Sequence, residues 1–238
     1  MTAVTFELHD DIAKLTLNKP EKGNALCLAM VEDLIAALET ARQARLIVFH
    51  GQGRHFCTGL DLSNLAEESD ATLLNRFVRI EELRAAIETS SVPTVAFGFG
   101  ATYGAGADIF AACDHRIAAP GTRFAFPGGA FGIVLGTARL TTIMGQQRAR
   151  DTLLAQRILE VEKALEAGLV TEVLHPSETA SRLSQLALEA RKLPRGAAAA
   201  LREMSRCDGR DRDLAALVRS ASRPGLKKRI EAYRATLK

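Results

Sequence analysis

The residues best suited to chemistry lie between Phe97 and Phe126, in the segment FGFGATYGAGADIFAACDHRIAAPGTRFAF. Four glycines interrupt this segment before and just after a helical pattern begins at about Ala105. A glycine-rich turn that opens a helix presents backbone N–H groups, and these bind developing negative charge. Asp108 lies one turn into the helix, among apolar residues, where it can exchange protons with a group held at the turn. Such surroundings should also raise the pKa of Asp108.

The polar residues singled out in this segment, and Cys57 before it, can also be explained by structural roles. A carboxylate near a helix start, such as Asp108, can act as a cap that accepts local N–H bonds. Tyr103 is better suited to lining a pocket than to assisting an oxyanion or positioning water. Cys57, in the loop after an earlier strand, is favoured as a small packed residue. The glycines do not form a dinucleotide-binding fingerprint, because the third glycine is absent at the required spacing.

The elements around this segment alternate between strands and helices. Residues 2–8 and 11–18 predict a hairpin, and Asn24 predicts the N-cap of a helix. Strands are predicted at residues 46–50 and 92–97, with a helix between them. The apolar residues predicted on the buried faces of these two helices are Leu26, Met30, Leu34, Leu38, Leu73, Phe77, Ile80, Leu83 and Ile87. This alternation predicts an α/β fold with a site at the strand ends.

Composition favours a globular, cytoplasmic protein. The chain has 238 residues, of which 47% are hydrophobic and 25% charged, and its net charge is +3. That charge is too small to indicate nucleic acid binding, and no apolar run is long enough for a membrane span. The N-terminal stretch MTAVTFELHDDIAKLTL is not typical of a targeting leader. The four cysteines are widely spaced without CxxC, which predicts free thiols and no metal site.

The chain resembles the crotonase family, the enoyl-CoA hydratase/isomerase superfamily. Five motifs carry the resemblance in order: KGNAL at 22–26, HFCTGLDL at 55–62, YGAGAD at 103–108, CDHRIAAPGTRFAFP at 113–127 and ALEAGLVTEVLHP at 164–176. The resemblance implies a crotonase-like spiral of ββα units, followed by a C-terminal helical trimerisation region. It divides the chain into an acyl-CoA-binding core at residues 1–176 and a helical region for oligomerisation at 177–238.

The resemblance also implies a substrate and a site. The family binds acyl-CoA thioesters and stabilises an enolate-like oxyanion with two backbone N–H groups, which fall at Leu60 and Ala105 here. Coenzyme A enters as part of the substrate, so no separate cofactor is expected, and the assembly is a homotrimer or a dimer of trimers. The residues implied in substrate and CoA binding are Lys22, Asn24, Ala25, Leu26, Asp61, Leu62 and Gly104. The family counterpart of Asp114 is structural, which implies that Asp114 holds a strand against its neighbours and is not catalytic.

One departure from the family matters for the reaction. Hydratases of the family use two glutamates; the first corresponds to Asp108, but the second falls at Gly128, where the acid is missing. A single acid/base favours isomerisation of an enoyl-CoA over hydration. The alternatives are decarboxylation or hydrolysis of an unusual acyl-CoA, or a catalytically weak CoA-binding or scaffolding homologue. The basic residues Lys227–Arg229 fit either CoA phosphates or a solvated helix surface.

Overall fold

The computed structural model describes residues 2–205 and 209–236. The predicted free thiol of Cys207 lies outside these residues. The strands are β1 (Val4–His9), β2 (Ile12–Leu17), β3 (Leu46–Gly51), β4 (Thr94–Gly98), β5 (Ala101–Tyr103), β6 (His115–Ala118), β7 (Arg123–Ala125), β8 (Leu159–Glu160) and β9 (Glu172–Val173). The helices are α1 (Leu28–Thr40), α2 (Asp70–Glu88), α3 (Ala105–Ala112), α4 (Thr137–Met144), α5 (Gln146–Leu154), α6 (Val161–Glu166), α7 (Thr179–Arg191), α8 (Arg195–Ser205), α9 (Arg210–Ala221) and α10 (Leu226–Ala235).

A six-stranded sheet forms the centre of the fold, in the order β1-β2-β3-β4-β6-β9. β1 and β2 pair antiparallel through a turn at Asp10 and Asp11, which both have positive φ (49° and 67°). Two successive left-handed residues are typical of a tight hairpin whose twist matches that of its strands. The other neighbours in this sheet are parallel. The predicted hairpin and the α/β architecture are both confirmed.

A smaller sheet, β5-β7-β8, follows closely along the chain, since only two residues separate β4 of the larger sheet from β5. β5 and β7 are parallel, while β8 pairs antiparallel with β7. β4 starts two residues later than predicted, at Thr94, because Pro93 has no N–H to give to a ladder. β9 is short, with only Glu172 and Val173, and it pairs in parallel with β6 at the edge of the larger sheet.

The predicted N-cap at Asn24 is wrong. α1 begins at Leu28, with Cys27 in the cap position, whereas Asn24 is buried in a left-handed conformation with φ of 56°. Its side-chain amide donates to the carbonyls of Gln52 and His55, at 2.8 Å each. Asparagine tolerates the left-handed region and can satisfy buried carbonyl groups, so here it joins two loops instead of starting a helix.

The predicted apolar faces of α1 and α2 are confirmed, except that Leu26 is buried ahead of α1 and not on it. α2 begins with a reciprocal capping box between Ser69 and Thr72. Its buried face also carries three charged residues that the apolar pattern concealed, namely Arg76, Glu81 and Arg84. The groups that these three residues contact are described below.

The C-terminal helices pack in two different ways. α9 and α10 pack on α2 and, together with residues 131–135, close an apolar cluster separate from the main core. α8, by contrast, has no buried residue. Among the helices of the described residues, none has both the length and the apolar character needed to cross a bilayer.

Candidate active site

Two segments that are far apart in sequence meet beside the smaller sheet. The first is residues 57–62, after β3, which we call the first loop; the second is the start of α3. Cys57 forms a parallel bridge with Thr102, and the Tyr103 N–H donates to the Cys57 carbonyl at 2.9 Å. Gly106 is needed here, because a Cβ at that position would lie 2.6 Å from the Cys57 Cβ and closer still to its carbonyl oxygen.

The meeting point is a pair of glycines. A Cβ built on Gly59 would lie 3.6 Å from the Gly104 Cα, so the two backbones are in van der Waals contact. Both glycines have positive φ, 99° and 52°. The amides of Leu60 and Ala105 follow them directly. Within the described residues neither N–H donates a hydrogen bond, and Ala105 is the first residue of α3, where helix geometry offers no partner.

The first loop is fixed from both sides. The Leu26 N–H donates to the Gly59 carbonyl at 2.7 Å, and the Asp61 N–H donates to the Leu26 carbonyl at 3.0 Å. From α2, the Arg76 guanidinium donates to the carbonyls of Asp61 (2.6 Å) and Leu26 (3.2 Å). Arg76 was missed at the sequence level. Its signal was a charged residue beside Phe77 on the apolar face of a helix.

Lys22 and Asp61, both implied in CoA binding, lie together. The Lys22 Nζ is 3.3 Å from Asp61 Oδ2 and 2.8 Å from the Ser63 hydroxyl oxygen. Burial acts to raise the pKa of Asp61, but hydrogen bonds from Ser63 and Lys22 outweigh it and hold that pKa below its ordinary value. The site thus has an ionised carboxylate next to a half-exposed ammonium group.

The other implied binding residues are less accessible. The side chains of Asn24 and Leu26 are fully buried, and Ala25 is nearly so. The Asn24 side chain is occupied by the carbonyls of Gln52 and His55, so residues 24–26 can contact a ligand mainly through their backbone. Leu62 and Gly104 are partly exposed. Their roles in CoA binding stay predictions.

Asp108 is buried and unpaired. Its side chain is on α3, one turn after Ala105, and the residue is 5% exposed. Its Oδ1 has no hydrogen-bond partner among the described residues, so Asp108 does not act as a helix cap. Burial raises its pKa to about 7. The charge of Arg84 opposes this rise, and the charge of Glu81 adds to it. The predicted direction of the shift is confirmed, and the carboxyl group can change protonation state near neutral pH.

A further segment, residues 127–136, borders both parts of the site; we call it the second loop. At its start, Pro127 Cδ would lie 3.8 Å from a Cβ built on Gly104. At its end is Gly136, with φ of 65°; a Cβ there would lie 3.0 Å from the Asp108 Cγ and would overlap Oδ1. Gly128, where the resemblance implies that an acid is missing, lies in a 3-10 turn and accepts a hydrogen bond from the Ile133 N–H at 2.8 Å.

Arg229 of α10 holds the second loop. Its guanidinium donates to the carbonyls of Phe131 (2.8 Å) and Gly132 (3.4 Å), and on the other side to those of Ser220 (3.3 Å) and Arg223 (3.1 Å). A Cβ on Gly132 would lie 2.5 Å from Arg229 Nη1, so glycine is required for this approach. One side chain therefore connects the second loop to the ends of α9 and α10.

The basic residues Lys227–Arg229 of α10 fit neither of the two explanations, CoA phosphate binding or a solvated helix surface, in full. Lys227 donates to the Ala66 carbonyl at 2.6 Å, just as Arg229 donates to main-chain carbonyls. Further along α10, Arg234 donates to the Leu62 carbonyl at 3.2 Å. Lys228 is exposed. These cations mainly fasten α10 to the loops around the site, a role that the charge pattern alone did not indicate.

Two further residues singled out in the sequence, Asp114 and Cys57, lie in structural surroundings. Asp114 Oδ2 accepts hydrogen bonds from the Thr94 N–H (2.8 Å) and hydroxyl (2.9 Å), and it also pairs with Arg202. The predicted strand-holding role of Asp114 is confirmed. Cys57 is fully buried, and burial raises the pKa of its thiol to about 12. No cluster of three potential metal ligands occurs in residues 2–205 and 209–236.

A family model described as enoyl-CoA hydratase/isomerase matches residues 7–222. The chain belongs to this family, the crotonase superfamily. It is an enzyme of the enoyl-CoA hydratase/isomerase type. Its fold superposes, with a TM-score of 0.97, on a crystal structure from Bordetella parapertussis described as an enoyl-CoA hydratase/isomerase, at 37% identity over 99% of each chain.

Two curated relatives illustrate the range of activities named in the family. A probable enoyl-CoA hydratase of Mycobacterium bovis is 36% identical over 167 residues, 68% of this chain and 67% of the relative. A trans-2-decenoyl-[acyl-carrier-protein] isomerase of Streptococcus mutans is 30% identical over 185 residues, 74% of this chain and 70% of the relative. The crotonase-type spiral is thus confirmed, while the family contains both hydratases and isomerases.

Proposed function

We propose that the protein isomerises an enoyl-CoA by holding the thioester oxygen between the amides of Leu60 and Ala105 while Asp108 moves the proton. The observation that carries this proposal is the pair of unused N–H groups that follow the touching glycines Gly59 and Gly104. Preorganised amide donors stabilise an oxyanion without reorganising during the reaction, and one such donor contributes about 3 kcal/mol to lowering the barrier.

The start of α3 adds to this stabilisation. Ala105 is the first residue of the helix, so its N–H lies at the positive end of the helix dipole. Leu60 comes from a loop that is fixed by the carbonyl contacts of Arg76. Backbone amides do this work whatever the side chain, which is why residues as plain as leucine and alanine are sufficient.

Asp108 has the properties of a group that both takes and returns a proton. Its carboxyl group has a pKa of about 7, so both protonation states are populated near neutral pH. In isomerisation, the carboxylate takes a proton from the carbon next to the thioester carbonyl and returns it two carbons further along the acyl chain. The enolate formed between these steps is the species that the two amides stabilise.

The position of the missing acid favours isomerisation over hydration. Addition of water across a double bond is easiest with two acid/base groups, and Gly128 supplies none. Isomerisation is within the range of the family, since one relative is named as an isomerase. Decarboxylation or hydrolysis of an unusual acyl-CoA remains the alternative, because both also pass through a stabilised oxyanion.

Coenzyme A is proposed to enter only as part of the substrate, along Lys22, Asp61 and Leu62 at the outer side of the first loop. The Lys22 ammonium group is half-exposed and is suited to a phosphate or carbonyl of the CoA moiety. No further cofactor is required by a proton transfer of this kind.

We further propose a homotrimer or a dimer of trimers in the cytoplasm, assembled through residues 177–238. Support comes from large apolar side chains that α7 and α8 leave exposed, including Leu188, Leu201 and Met204. Sedimentation of the purified protein at two concentrations measures the assembly state. A monomer at micromolar concentration would contradict this part of the proposal.

The test compares two substrates. A 3-enoyl-CoA should gain the absorbance of the conjugated 2-enoyl thioester, whereas crotonyl-CoA should lose its absorbance more slowly. Asp108→Asn should lower kcat for the 3-enoyl-CoA by about 10²- to 10⁴-fold and leave the Kd for acyl-CoA within a few fold. Undiminished turnover in Asp108→Asn would contradict the role of Asp108, and faster loss of crotonyl-CoA would favour hydration.

The pH dependence has a definite sign. Because the pKa of Asp108 is raised to about 7, the proton-accepting form is scarce at pH 5 and dominant at pH 8. The kcat/KM for the 3-enoyl-CoA should therefore rise with pH, pass its half-maximum near pH 7 and level off above about pH 8. A flat profile between pH 5 and 8 would contradict proton abstraction by Asp108.

A further inference from the structure

A buried ion pair lies on α2, which packs against α3. The side chains of Glu81 and Arg84 are each only 2% exposed, and Arg84 Nε donates to Glu81 Oε2 at 2.8 Å. Arg84 also donates to Glu88 at 2.6 Å and lies 3.7 Å from the carboxylate of Asp213 on α9. The proposed reaction does not yet use any of these charges.

The network reaches the helix that carries Asp108. Glu88 Oε1 is 3.5 Å from the Arg139 guanidinium of α4, and Arg139 Nε donates to the Ala111 carbonyl at 3.1 Å. Ala111 is one helical turn beyond Asp108 on α3. The same short helix, α4, begins next to Gly136, which touches the Asp108 carboxyl group. The charges and the carboxyl group are therefore parts of one packed unit.

Stability alone gives little reason for this pair. Bringing both ions of a buried pair out of water costs about as much as their attraction returns, and apolar replacements of similar size are often neutral or stabilising. In return, buried charges act on neighbouring groups more strongly than surface charges, because little water screens them. The Asp108 carboxyl group is such a neighbour, with an Oδ1 that has no partner of its own among the described residues.

The charged groups on the elements packed around Asp108 are known. α2 supplies the linked charges of Glu81, Arg84 and Glu88, and α4 supplies Arg139; Asp213 lies beside Arg84 from α9. The other charged residues of α2 have partners elsewhere, namely Asp70, Arg76, Arg79 and Glu82. β5 supplies only the neutral Tyr103, and β4 has no titratable residue. Of these, Arg84 and Glu81 act on the pKa of Asp108 in opposite directions: Arg84 lowers it and Glu81 raises it.

We propose that Glu81 and Arg84 are positioning residues whose fixed, opposed charges beneath α3 set how readily the Asp108 carboxyl group releases its proton. This inference rests on the proposed acid/base role of Asp108 and adds the groups that adjust it. The two charges act on the carboxyl group in opposite directions. With Arg84 alone the group would release its proton more readily, and with Glu81 alone it would hold the proton more tightly.

The test uses two substitutions that break the same ion pair. Asp108 is observed directly by NMR of protein labelled with ¹³C at the aspartate carboxyl carbons, and Asp108→Asn identifies its signal. Arg84→Met should raise the titration midpoint of Asp108 by about one pH unit, and Glu81→Gln should lower it by about as much. A purely structural pair would give shifts of the same sign, or none, because both variants lose the same contact.

Control variants distinguish the effect of a lost charge on the Asp108 midpoint from the effect of a damaged fold. Arg79 and Glu82 form an exposed ion pair on the same helix, so Arg79→Met and Glu82→Gln should leave the midpoint unchanged. Arg84→Lys keeps the charge and should stay near the wild-type midpoint. If Arg84→Met does not fold, the double variant Glu81→Gln/Arg84→Met, which removes both charges together, should return the midpoint to near its wild-type value.

Failure of this inference is distinct from failure of the proposed function. If Asp108 does not catalyse, Asp108→Asn keeps its turnover, yet the carboxyl titration still reports on Glu81 and Arg84. If Asp108 catalyses but the inference is wrong, the kcat/KM profile of the wild type rises through about pH 7, and both variants keep that midpoint. Midpoints that move in the same direction in the two variants would overturn the inference.

Discussion

The first and second loops border one site but are held in different ways. The first loop, residues 57–62, is fixed by main-chain hydrogen bonds to Leu26 and β5, by glycine contacts and by Arg76 of the nearby α2. The second loop, residues 127–136, is held by side chains of α9 and α10: the Ser220 hydroxyl accepts from the Val134 N–H, and Arg229 donates to the Phe131 carbonyl. The proposed oxyanion hole therefore belongs to the core, whereas the surroundings of the missing acid depend on the C-terminal helices.

The largest effect is expected where the first loop meets α3. Gly106→Ala places a Cβ against Cys57, with main-chain and side-chain atoms in the way, and should destabilise the protein by about 3 kcal/mol. Urea unfolding measures this loss. Gly196→Ala is the control, since nothing lies within 4 Å of a Cβ there. Equal unfolding midpoints for the two variants would mean that the backbone can shift to accept a Cβ beside Cys57, contrary to this prediction.

The next effect should be on catalysis more than on stability. Gly136→Ala pushes a methyl group into the Asp108 carboxyl group, and displacement of a catalytic group by about 1 Å lowers kcat by about 10²-fold. Gly145→Ala, at the other end of α4, is matched to it because its φ is also positive, at 77°, while its surroundings are open. If the two variants lose kcat equally, backbone strain is the cause and the contact with Asp108 is not.

A smaller effect should follow from releasing the second loop. Arg229→Met removes hydrogen bonds to the carbonyls of Phe131, Gly132, Ser220 and Arg223, for a loss of about 2 kcal/mol in stability. The KM for acyl-CoA should rise several fold while kcat changes little, because the two amides are held elsewhere. Lys228→Met, on the exposed side of α10, is the control. A fall in kcat with unchanged KM would contradict the division between the loops.

The smallest effect on the fold should come from restoring the missing acid. At Gly128 the nearest atom to an added Cβ is the Ile133 carbonyl oxygen at 3.3 Å, and φ is not positive, so Gly128→Glu should leave the unfolding midpoint nearly unchanged. It should raise the rate of crotonyl-CoA hydration. Gly129→Glu, one residue further, should not. No gain in hydration by Gly128→Glu would show that the second acid does not belong at this position.

The parts of the molecule that could be predicted are those set by local sequence. The start of α3 at Ala105 follows from the glycine run, and the buried stripe of α2 from its helical period. The raised pKa of Asp108 follows from an acid placed among apolar neighbours. In each case the physical cause lies within one or two turns of the residue concerned.

The parts that escaped prediction have partners that are distant in sequence. Arg76 and Arg229 look like surface cations until their carbonyl partners come into place, 15 and 98 residues away. Asn24 looks like a helix cap until the carbonyls of Gln52 and His55 occupy its amide. A polar side chain can satisfy many different groups, and only the folded backbone selects among them.

The strand order of the large sheet bears on how the chain is synthesised. Along β1-β2-β3-β4-β6-β9, each strand lies beside one made earlier, so the sheet can grow as the chain leaves the ribosome. Leu60, Ala105 and Asp108 all precede β7, whereas Arg229 is made about 100 residues later, roughly 5–20 s at ordinary rates of synthesis. The residues of the proposed oxyanion hole are thus synthesised first, and the side chain that fastens the second loop follows only about 100 residues later.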